Sequence, residues 1–217
     1  SLEDMESGYS DNNPFEDRET GRRRSLSFDQ YSVKAYHGST ADFDIFKHEF
    51  FGSGEGPNSG VWGFYFTSKK DIAKEYTDYI ERIQKNRAQS KSEIEPKIDK
   101  TVYEVILHEG KKPSEYDYID RGRPISESQR QKILKGIDNS SQEIKEKFQK
   151  SQTFMVDLNK PIRGYSLYSN IWRVLGSDKA ASQWLSSIGI DGMTVKEQAH
   201  TVRVVFNPDE ITIKTKT

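Results

Sequence analysis

Two neighbouring blocks, YHGSTADFDIF at residues 36–46 and GFYFTSKKDIAKEY at residues 63–76, carry the clearest structural patterns in the sequence. From Val33 to His37, apolar residues alternate with polar or aromatic ones, which predicts a short β-strand. This strand ends in the tripeptide His37, Gly38 and Ser39. The pattern therefore places a polar tripeptide at a strand end.

The second block predicts a strand that leads directly into a helix. Residues 61–67 alternate so that Tyr65 faces away from a core side formed by Trp62, Phe64 and Phe66. Ser68 is the predicted N-cap of the helix, and Asp71 completes a capping-box variant. The apolar stripe of this helix comprises Ile72, Ala73, Tyr76, Tyr79 and Ile80. Tyr65 and Tyr76 are therefore expected to flank a tight strand-to-helix turn.

Length and composition favour one folded domain with a solvated extension. A chain of 217 residues is long enough to bury a sizeable core. Apolar residues make up only 33% and charged residues 31%, and the mean hydropathy is −0.87, so part of the chain must be solvated. Residues 1–32 show no periodicity and are predicted to form a flexible tail or linker, which leaves residues 33–217 for the domain.

Charge and residue usage disfavour several classes of function. The 33 basic and 34 acidic residues nearly balance, so no global field attracts nucleic acid or an anionic membrane. The chain has no cysteine and only four scattered histidines, which excludes Cys-ligated zinc and thiol nucleophiles and gives no metal-ligand spacing. It has no membrane-spanning run and no signal-peptide core. We therefore predict a cytoplasmic protein, of its own cell or a host, without a metal and without a nucleic-acid partner.

The rest of the chain mixes strands and helices. Residues 101–107 are apolar on both faces, which predicts a central strand. Residues 126–152 predict a helix pair or one long helix, capped by Ser126 with Gln129 and broken near Gly136 and residues 139–140. This segment belongs to a charged helical insertion at about residues 108–160.

Closing elements follow the insertion. Ser177 is predicted to cap a last helix that stops at Gly189, and residues 201–206 and 211–213 are predicted closing strands. Strands at both ends with helices between them predict an α+β domain built on two packed sheets.

Five blocks resemble a known superfamily in the same order. They are YHGSTADF (36–43), GFYFT (63–67), VYEVIL (102–107), ASQWLSSIGIDGM (181–193) and VVFNPDEI (204–211). Together they resemble the ADP-ribosyltransferases of the H-Y-E branch, which includes the poly(ADP-ribose) polymerases and diphtheria toxin. Within this branch the chain is most similar to the ADP-ribosyltransferase domain of phage polyvalent proteins, over about residues 33–214. The resemblance implies an ADP-ribosyltransferase-like split β-sandwich with peripheral helices and a helical insertion.

The resemblance also implies an NAD site. Tyr65 and Tyr76 would sandwich the nicotinamide ring, and the backbone of Gly38 would bind the carboxamide without interference from a Cβ atom. His37 would bind the adenosine ribose, while the Gly-rich residues 51–63 would form a mobile loop over the adenosine. The predicted NAD-binding residues are His37, Gly38, Ser39, Tyr65, Phe66, Thr67, Ala73 and Tyr76.

Two positions depart from the pattern of the resembling family. Ala73 stands where many relatives have a serine that contacts the carboxamide. Val202 stands where the H-Y-E pattern has its glutamate. Glu197 in the loop upstream is the predicted replacement, with Gln198 or His200 as alternative hydrogen-bonding groups. The predicted catalytic residues are therefore His37, Tyr65 and Glu197.

The resemblance implies mono-ADP-ribosyl transfer from NAD to a side chain of a target protein, as in phage or effector enzymes. Relatives without the glutamate tend to transfer single ADP-ribose units. Two alternatives stay open: a non-catalytic module that binds NAD or ADP-ribose, favoured by Val202 and Ala73, and an NAD glycohydrolase.

Overall fold

The computed structural model describes residues 33–48, 60–94 and 97–217, which form a mixed α+β fold. The strands are β1 Val33–Ser39, β2 Phe64–Thr67, β3 Thr101–Leu107, β4 Tyr118–Asp120, β5 Gly192–Lys196, β6 Thr201–Val205 and β7 Ile211–Lys216. The α-helices are α1 Lys70–Lys91, α2 Glu127–Asn139, α3 Gln142–Lys150, α4 Gln152–Leu158, α5 Gly164–Leu175 and α6 Asp178–Ser187. Among these helices, none is both long and apolar enough to cross a membrane. The predicted tail at residues 1–32 and most of the predicted loop at 51–63 lie outside the described residues.

The strands form one mixed sheet in the order β4-β5-β6-β2-β1-β3-β7. β4 and β5 are parallel, and the other neighbours are antiparallel. The sheet is weakest in its middle, where β1 and β2 pair in the described residues only at Tyr36 opposite Thr67. We call β1, β3 and β7 the β1 half-sheet, and β2, β4, β5 and β6 the β2 half-sheet.

The two half-sheets pack face to face across a buried apolar cluster. The β1 half-sheet contributes Ala35, Tyr103, Val105 and Leu107, and the β2 half-sheet contributes Phe64, Phe66 and Val205. The predicted α+β class is confirmed. Its two packed layers are halves of one hydrogen-bonded sheet, and they separate between β1 and β2, where only Tyr36 and Thr67 pair in the described residues. Phe64 and Phe66 share a core face as predicted, because Tyr65 packs against a different cluster on the opposite side of β2. The predicted strand was too long, since β2 begins at Phe64, and Trp62 is not a member of this cluster.

That second cluster lies between the β2 half-sheet and the helices of the second half of the chain. Its fully buried members include Ile133 of α2, Phe148 of α3 and Phe154 of α4. The segment at residues 108–160, predicted as a charged helical insertion, contributes these helices to the core and also contains β4. Ser126 and Gln129 form the predicted capping box. The helix breaks at Ser140 as predicted, but Gly136 lies within α2, where a Cβ would come 2.6 Å from Cγ2 of Ile188.

The predicted N-cap of α1 was wrong. The helix begins at Lys70, and the preceding Lys69 makes no side-chain capping bond. Ser68 instead extends the pairing of β2 with β6: its N–H donates to the Thr201 carbonyl at 3.0 Å, and its Oγ accepts from the Thr201 N–H at 3.0 Å. The Ser68 hydroxyl therefore bonds to the neighbouring strand and does not cap α1.

A buried hydrogen-bond cluster joins the two outer ends of the sheet. His108, which follows β3, contacts Oε2 of Glu210 through Nδ1 at 2.9 Å and the hydroxyl of Tyr118 in β4 through Nε2 at 2.7 Å. The Tyr116 ring stacks on the imidazole at 4.3 Å, and Lys111 forms an ion pair with Glu210. We call these residues the His108 clasp. It connects the β3–β7 edge of the sheet to the β4 edge. These edges lie at the two ends of the strand order, away from the place where β1 and β2 separate, which we call the opening.

Protonation of the clasp should destabilise the fold. Burial lowers the pKa of His108 below its usual value, although Glu210 opposes this shift. Burial would raise the pKa of Glu210, but hydrogen bonds from Lys111 and His108 leave it lowered. A neutral His108 thus donates from Nδ1 to an ionised Glu210 and accepts the Tyr118 hydroxyl at Nε2.

The pKa values of His108 and Glu210 are both lower in the folded protein than in the unfolded chain. Below about pH 6.5 the unfolded chain therefore takes up protons that the folded protein excludes, and the free energy of unfolding falls. We expect the urea midpoint to be constant between about pH 7 and 8 and to fall on acidification below about pH 6.5. His108→Asn, which tolerates the positive φ of 55° at this position, should reduce the pH slope. An unchanged slope would assign the acid sensitivity to other groups, such as the partly buried His37.

Candidate functional site

His37 lies at the opening between the two half-sheets. Its Nδ1 is 2.8 Å from the carbonyl oxygen of Tyr65, and since a carbonyl only accepts, Nδ1 carries the proton. Three aromatic rings surround the imidazole. The distances between ring centres are 5.2 Å to Phe46, 5.7 Å to Phe66 and 6.1 Å to Tyr103. Burial lowers the pKa of His37, although the hydrogen bond to Tyr65 opposes the shift. The imidazole is therefore held neutral near pH 7 with Nε2 as a hydrogen-bond acceptor.

The backbone of Gly38 is directed towards the same opening. In an antiparallel pair, each residue directs its N–H and C=O to the same neighbouring strand. Val102, which lies opposite Gly38, bonds through both groups to Thr217, at 2.7 and 3.0 Å. Gly38 therefore turns its own N–H and C=O away from β3 and towards β2.

No described residue of β2 pairs with Gly38 there. Continued from Tyr36–Thr67, the ladder would place Gly38 opposite Tyr65, whose carbonyl accepts a hydrogen bond from the His37 side chain. Gly38 is buried, and the pairing of β1 with β2 does not extend to it, so its N–H and C=O are placed to bind a ligand or water. One donor and one acceptor side by side match the two hydrogen-bonding groups of a primary carboxamide.

The side of Gly38 that would carry a Cβ is packed against α1. A Cβ there would lie 2.1 Å from the Ala73 carbonyl oxygen and 2.8 Å from Cγ2 of Thr77. The sequence predicted that Gly38 lacks a Cβ so that a ligand can approach, and this stays a prediction. The structure adds a second reason for glycine, because α1 leaves no room for a Cβ at this position. This close approach fixes α1, and with it Tyr76, beside β1.

Tyr65 and Tyr76 border the opening from a strand and a helix. The Tyr65 hydroxyl donates to the Val61 carbonyl at 2.5 Å, which fixes its ring on the β2 half-sheet. Tyr76 is partly buried, and burial followed by the proximity of Tyr65 and Tyr79 raises its pKa to about 12. The Tyr76 phenol is thus neutral near pH 7. Tyr65 on β2 and Tyr76 on α1 stay the predicted pair of rings for a flat amide-bearing ligand beside Gly38.

The remaining predicted binding residues have supporting positions. Ser39 Oγ accepts from the Ala41 N–H at 3.0 Å, and Thr67 Oγ1 accepts from the Lys69 N–H at 3.3 Å. Phe66 is buried in the core beneath His37, so its ring supports the imidazole. Ala73 is buried in α1 against Gly38. Sequence reasoning did not assign Phe46 to the site, although its aromatic cluster signalled packing, and its ring helps to position His37.

The position that the resemblance predicts for the glutamate holds the apolar Val202. Val202 lies opposite Thr67 of β2, on the face of the sheet that carries Tyr65. Glu197 is exposed in the turn between β5 and β6, where its N–H donates to the His200 carbonyl at 2.9 Å. The structure thus places Glu197 on the loop next to β6 and does not bring it into contact with His37 or Tyr65. Its catalytic role stays a prediction.

Three side chains with metal-binding atoms meet away from this opening, in the His108 clasp. Atoms of His108, Asp191 and Glu210 lie within 4.8 Å of one another. Both imidazole nitrogens already have hydrogen-bond partners, in Glu210 and Tyr118. An ion would have to displace one of them, so the arrangement is explained by hydrogen bonding.

Comparisons with known proteins place the chain in a family. No curated protein matches the chain. A chain of the crystal structure of the M. tuberculosis MbcT–MbcA toxin–antitoxin complex is similar over 88% of both chains, with 11% sequence identity and a TM-score of 0.34. That similarity is too low to support a functional argument. A family model described as ADP-ribosyltransferase in polyvalent proteins matches residues 32–215. Because this match covers most of the 217 residues, the chain belongs to the ADP-ribosyltransferase family of polyvalent proteins.

Proposed function

We propose that the protein is an NAD-dependent mono-ADP-ribosyltransferase that modifies a side chain of a target protein and releases nicotinamide. The observation that carries this proposal is the buried Gly38, whose N–H and C=O face the opening between β1 and β2 beside Tyr65 and Tyr76. The nicotinamide carboxamide offers one donor and one acceptor to Gly38, and its flat ring fits between two phenols.

The chemistry requires nicotinamide to leave from C1′ of its ribose. The C–N glycosidic bond breaks, neutral nicotinamide takes the electron pair, and positive charge develops on the ribose. The two aromatic rings and the Gly38 backbone hold nicotinamide without opposing this charge. His37 Nε2 accepts a hydroxyl of the adenosine ribose, which fixes NAD at a second point.

Transfer of single ADP-ribose units is supported by Val202. The apolar residue at this position leaves no carboxylate on β6 beside Tyr65 to orient a ribose hydroxyl for repeated addition. The same substitution, together with Ala73, favours the second candidate function, a module that binds NAD without cleaving it.

Glu197 is the proposed source of a carboxylate for this site. Glu197 lies on the loop that leads into β6, the strand that contains Val202. Glu197→Gln keeps the shape of the side chain and removes its charge, so we expect transfer to fall about tenfold through loss of stabilisation of the ribosyl cation. The rate of label incorporation measures this effect, with the exposed Glu143→Gln on α3 as the matched control. Full activity of Glu197→Gln would show that Glu197 has no catalytic role.

Incubation with etheno-NAD and cell extract tests the function itself. Fluorescent label on a protein supports transfer, and free etheno-ADP-ribose without labelled protein supports a glycohydrolase. Intact NAD that nevertheless raises the melting temperature supports a binding module. His37→Ala should abolish whichever signal appears, whereas Gln142→Ala at an exposed position of α3 should preserve it. A signal that survives His37→Ala would exclude this opening as the NAD site.

A further inference from the structure

A second concave site lies next to the opening. It is a cavity of about 500 Å³ lined by Arg121, Arg123, Arg163, Tyr165, Val195 and Lys196, among others. We call it the basic cleft. Its cations come from three separate places in the chain, namely the loop after β4, the start of α5 and the end of β5. The fold therefore brings together basic residues that are far apart in the sequence.

The charge of the basic cleft is mostly uncompensated. Asp120 is its acidic residue, and this carboxylate already accepts from the Gly122 N–H at 2.9 Å and lies 3.7 Å from Arg123 Nε. Within the described ranges, Arg121, Arg163 and Lys196 form no ion pair. By contrast, Lys100, Lys111 and Lys132 each contact a carboxylate. Three free cations around one cavity create a local attraction for anionic groups.

One guanidinium in the basic cleft is held in position. The Arg121 guanidinium lies 4.5 Å from the centre of the Tyr165 ring. Tyr165 in turn lies against the backbone of Gly60, where a Cβ would come 2.9 Å from the phenol oxygen. A stacked guanidinium keeps its edge available for two parallel hydrogen bonds to a carboxylate. The basic cleft thus has a preorganised anion-binding group as well as positive charge.

The sheet register relates the basic cleft to the proposed NAD site. Val195 in the cleft lies opposite Val202, and Val202 lies opposite Thr67. Residues directly opposite each other share a face of a sheet, so Val195 and Thr67 are on the same face, about 10 Å apart across two strand spacings. Tyr65 shares that face because it is two residues from Thr67.

The basic cleft is also on the far side of Tyr65 from His37. The strand order runs from β5 with Val195, through β6 and β2, to β1 with His37. If His37 holds the adenosine ribose, the adenosine and its diphosphate extend towards β1 and away from β5. The cleft is then left for the other substrate.

We propose that the basic cleft binds an acidic segment of the target protein and presents it to the ribose held beside Tyr65. This inference rests on the proposed function and names the chemistry of its acceptor. Carboxylates of the segment pair with Arg121, Arg163 and Lys196, and its apolar atoms contact Tyr165 and Val195.

A protein segment fits the basic cleft better than nucleic acid does. Regularly spaced phosphates need an extended basic surface, whereas these cations are confined to one cavity of a chain with net charge −1. An acidic side chain also lines the cavity, namely Asp120. A continuous polyanion would meet this carboxylate, but a peptide can place its acids selectively.

Fluorescence anisotropy with a labelled polyglutamate peptide tests the proposal. We expect wild-type protein to bind the peptide with an affinity that falls as salt rises. Arg163→Glu should weaken binding by about tenfold or more, because it removes a charge-assisted pair and adds repulsion. Arg173→Glu is the matched control, since this exposed arginine lies at the other end of α5, and it should bind like wild type. Equal effects of the two substitutions would overturn the assignment to the cleft.

Two further measurements separate this inference from the proposed function. The change in melting temperature with NAD, measured on the same wild-type sample, reports on the NAD site. An NAD response without peptide binding overturns the acidic-segment proposal alone. Peptide binding that depends on Arg163 without an NAD response supports the cleft and overturns the proposed function. Tighter binding of a single-stranded oligonucleotide than of polyglutamate overturns the choice of a protein partner.

Discussion

Tyr76→Ala is expected to lower kcat/KM for NAD cleavage about 100-fold, which corresponds to about 2.7 kcal/mol. The lost energy combines stacking on nicotinamide, about 1 kcal/mol, with the apolar area that the ring buries. Tyr76 is suited to this role because it is only partly buried and is held in α1 by the close approach of Gly38 to Ala73. Steady-state rates with etheno-NAD measure the effect.

Two further variants make the Tyr76 result specific. Tyr79→Ala removes the same ring one turn along α1, from a residue that is 40% exposed, and should leave the rate within about twofold. Tyr76→Phe keeps the ring, and because the pKa of about 12 leaves the hydroxyl neutral, it should retain most of the activity. If Tyr79→Ala were as damaging as Tyr76→Ala, the loss would reflect α1 as a whole and not a nicotinamide contact.

Gly38→Ala should destabilise the protein by about 2–3 kcal/mol, within the range found for overpacked cores. The new Cβ would be 2.1 Å from the Ala73 carbonyl oxygen, and this neighbour is helix backbone that cannot rotate away. Either β1 or α1 must move, and movement of α1 carries Tyr76 away from Tyr65. NAD binding should therefore be lost together with stability.

Urea unfolding measures the stability change, and the melting shift with NAD measures binding. Gly122→Ala is the control for glycine replacement itself, because its Cβ would lie 3.7 Å from Oδ1 of Asp120, an ordinary contact. If Gly38→Ala unfolded at the wild-type urea concentration, the packing of α1 on β1 described above would be wrong.

Local sequence patterns predicted the elements with strong local signals. β1 and β3 alternate or are continuously apolar, and Ser126 and Ser177 cap α2 and α6 as expected. By contrast, β4 is only Tyr118–Asp120 and gives no measurable period, so it was missed. Helix α5 was also missed, because it starts at Gly164 and the preceding Arg163 makes no side-chain capping bond. These elements form because the tertiary core accepts them.

The candidate site was predictable in its residues but not in its geometry. His37, Gly38, Tyr65 and Tyr76 were identified through the family resemblance. The direction of the Gly38 backbone depends on Val102 bonding to Thr217, 115 residues further along the chain. The basic cleft depends likewise on β4, β5 and α5 meeting. Neither feature has a local signal, because each arises from the pairing of distant segments.

The separation of β1 from β2 after Tyr36 and Thr67 should be visible in amide deuterium exchange. By strand alternation, the amides of His37 and Ser39 bond to β3 and should exchange slowly, while the Gly38 amide between them faces β2 beyond the Tyr36–Thr67 pair and should exchange faster. Bound NAD would then slow this one amide more than its neighbours. A single backbone proton in the middle of a strand would thus serve as a built-in reporter of nicotinamide occupancy.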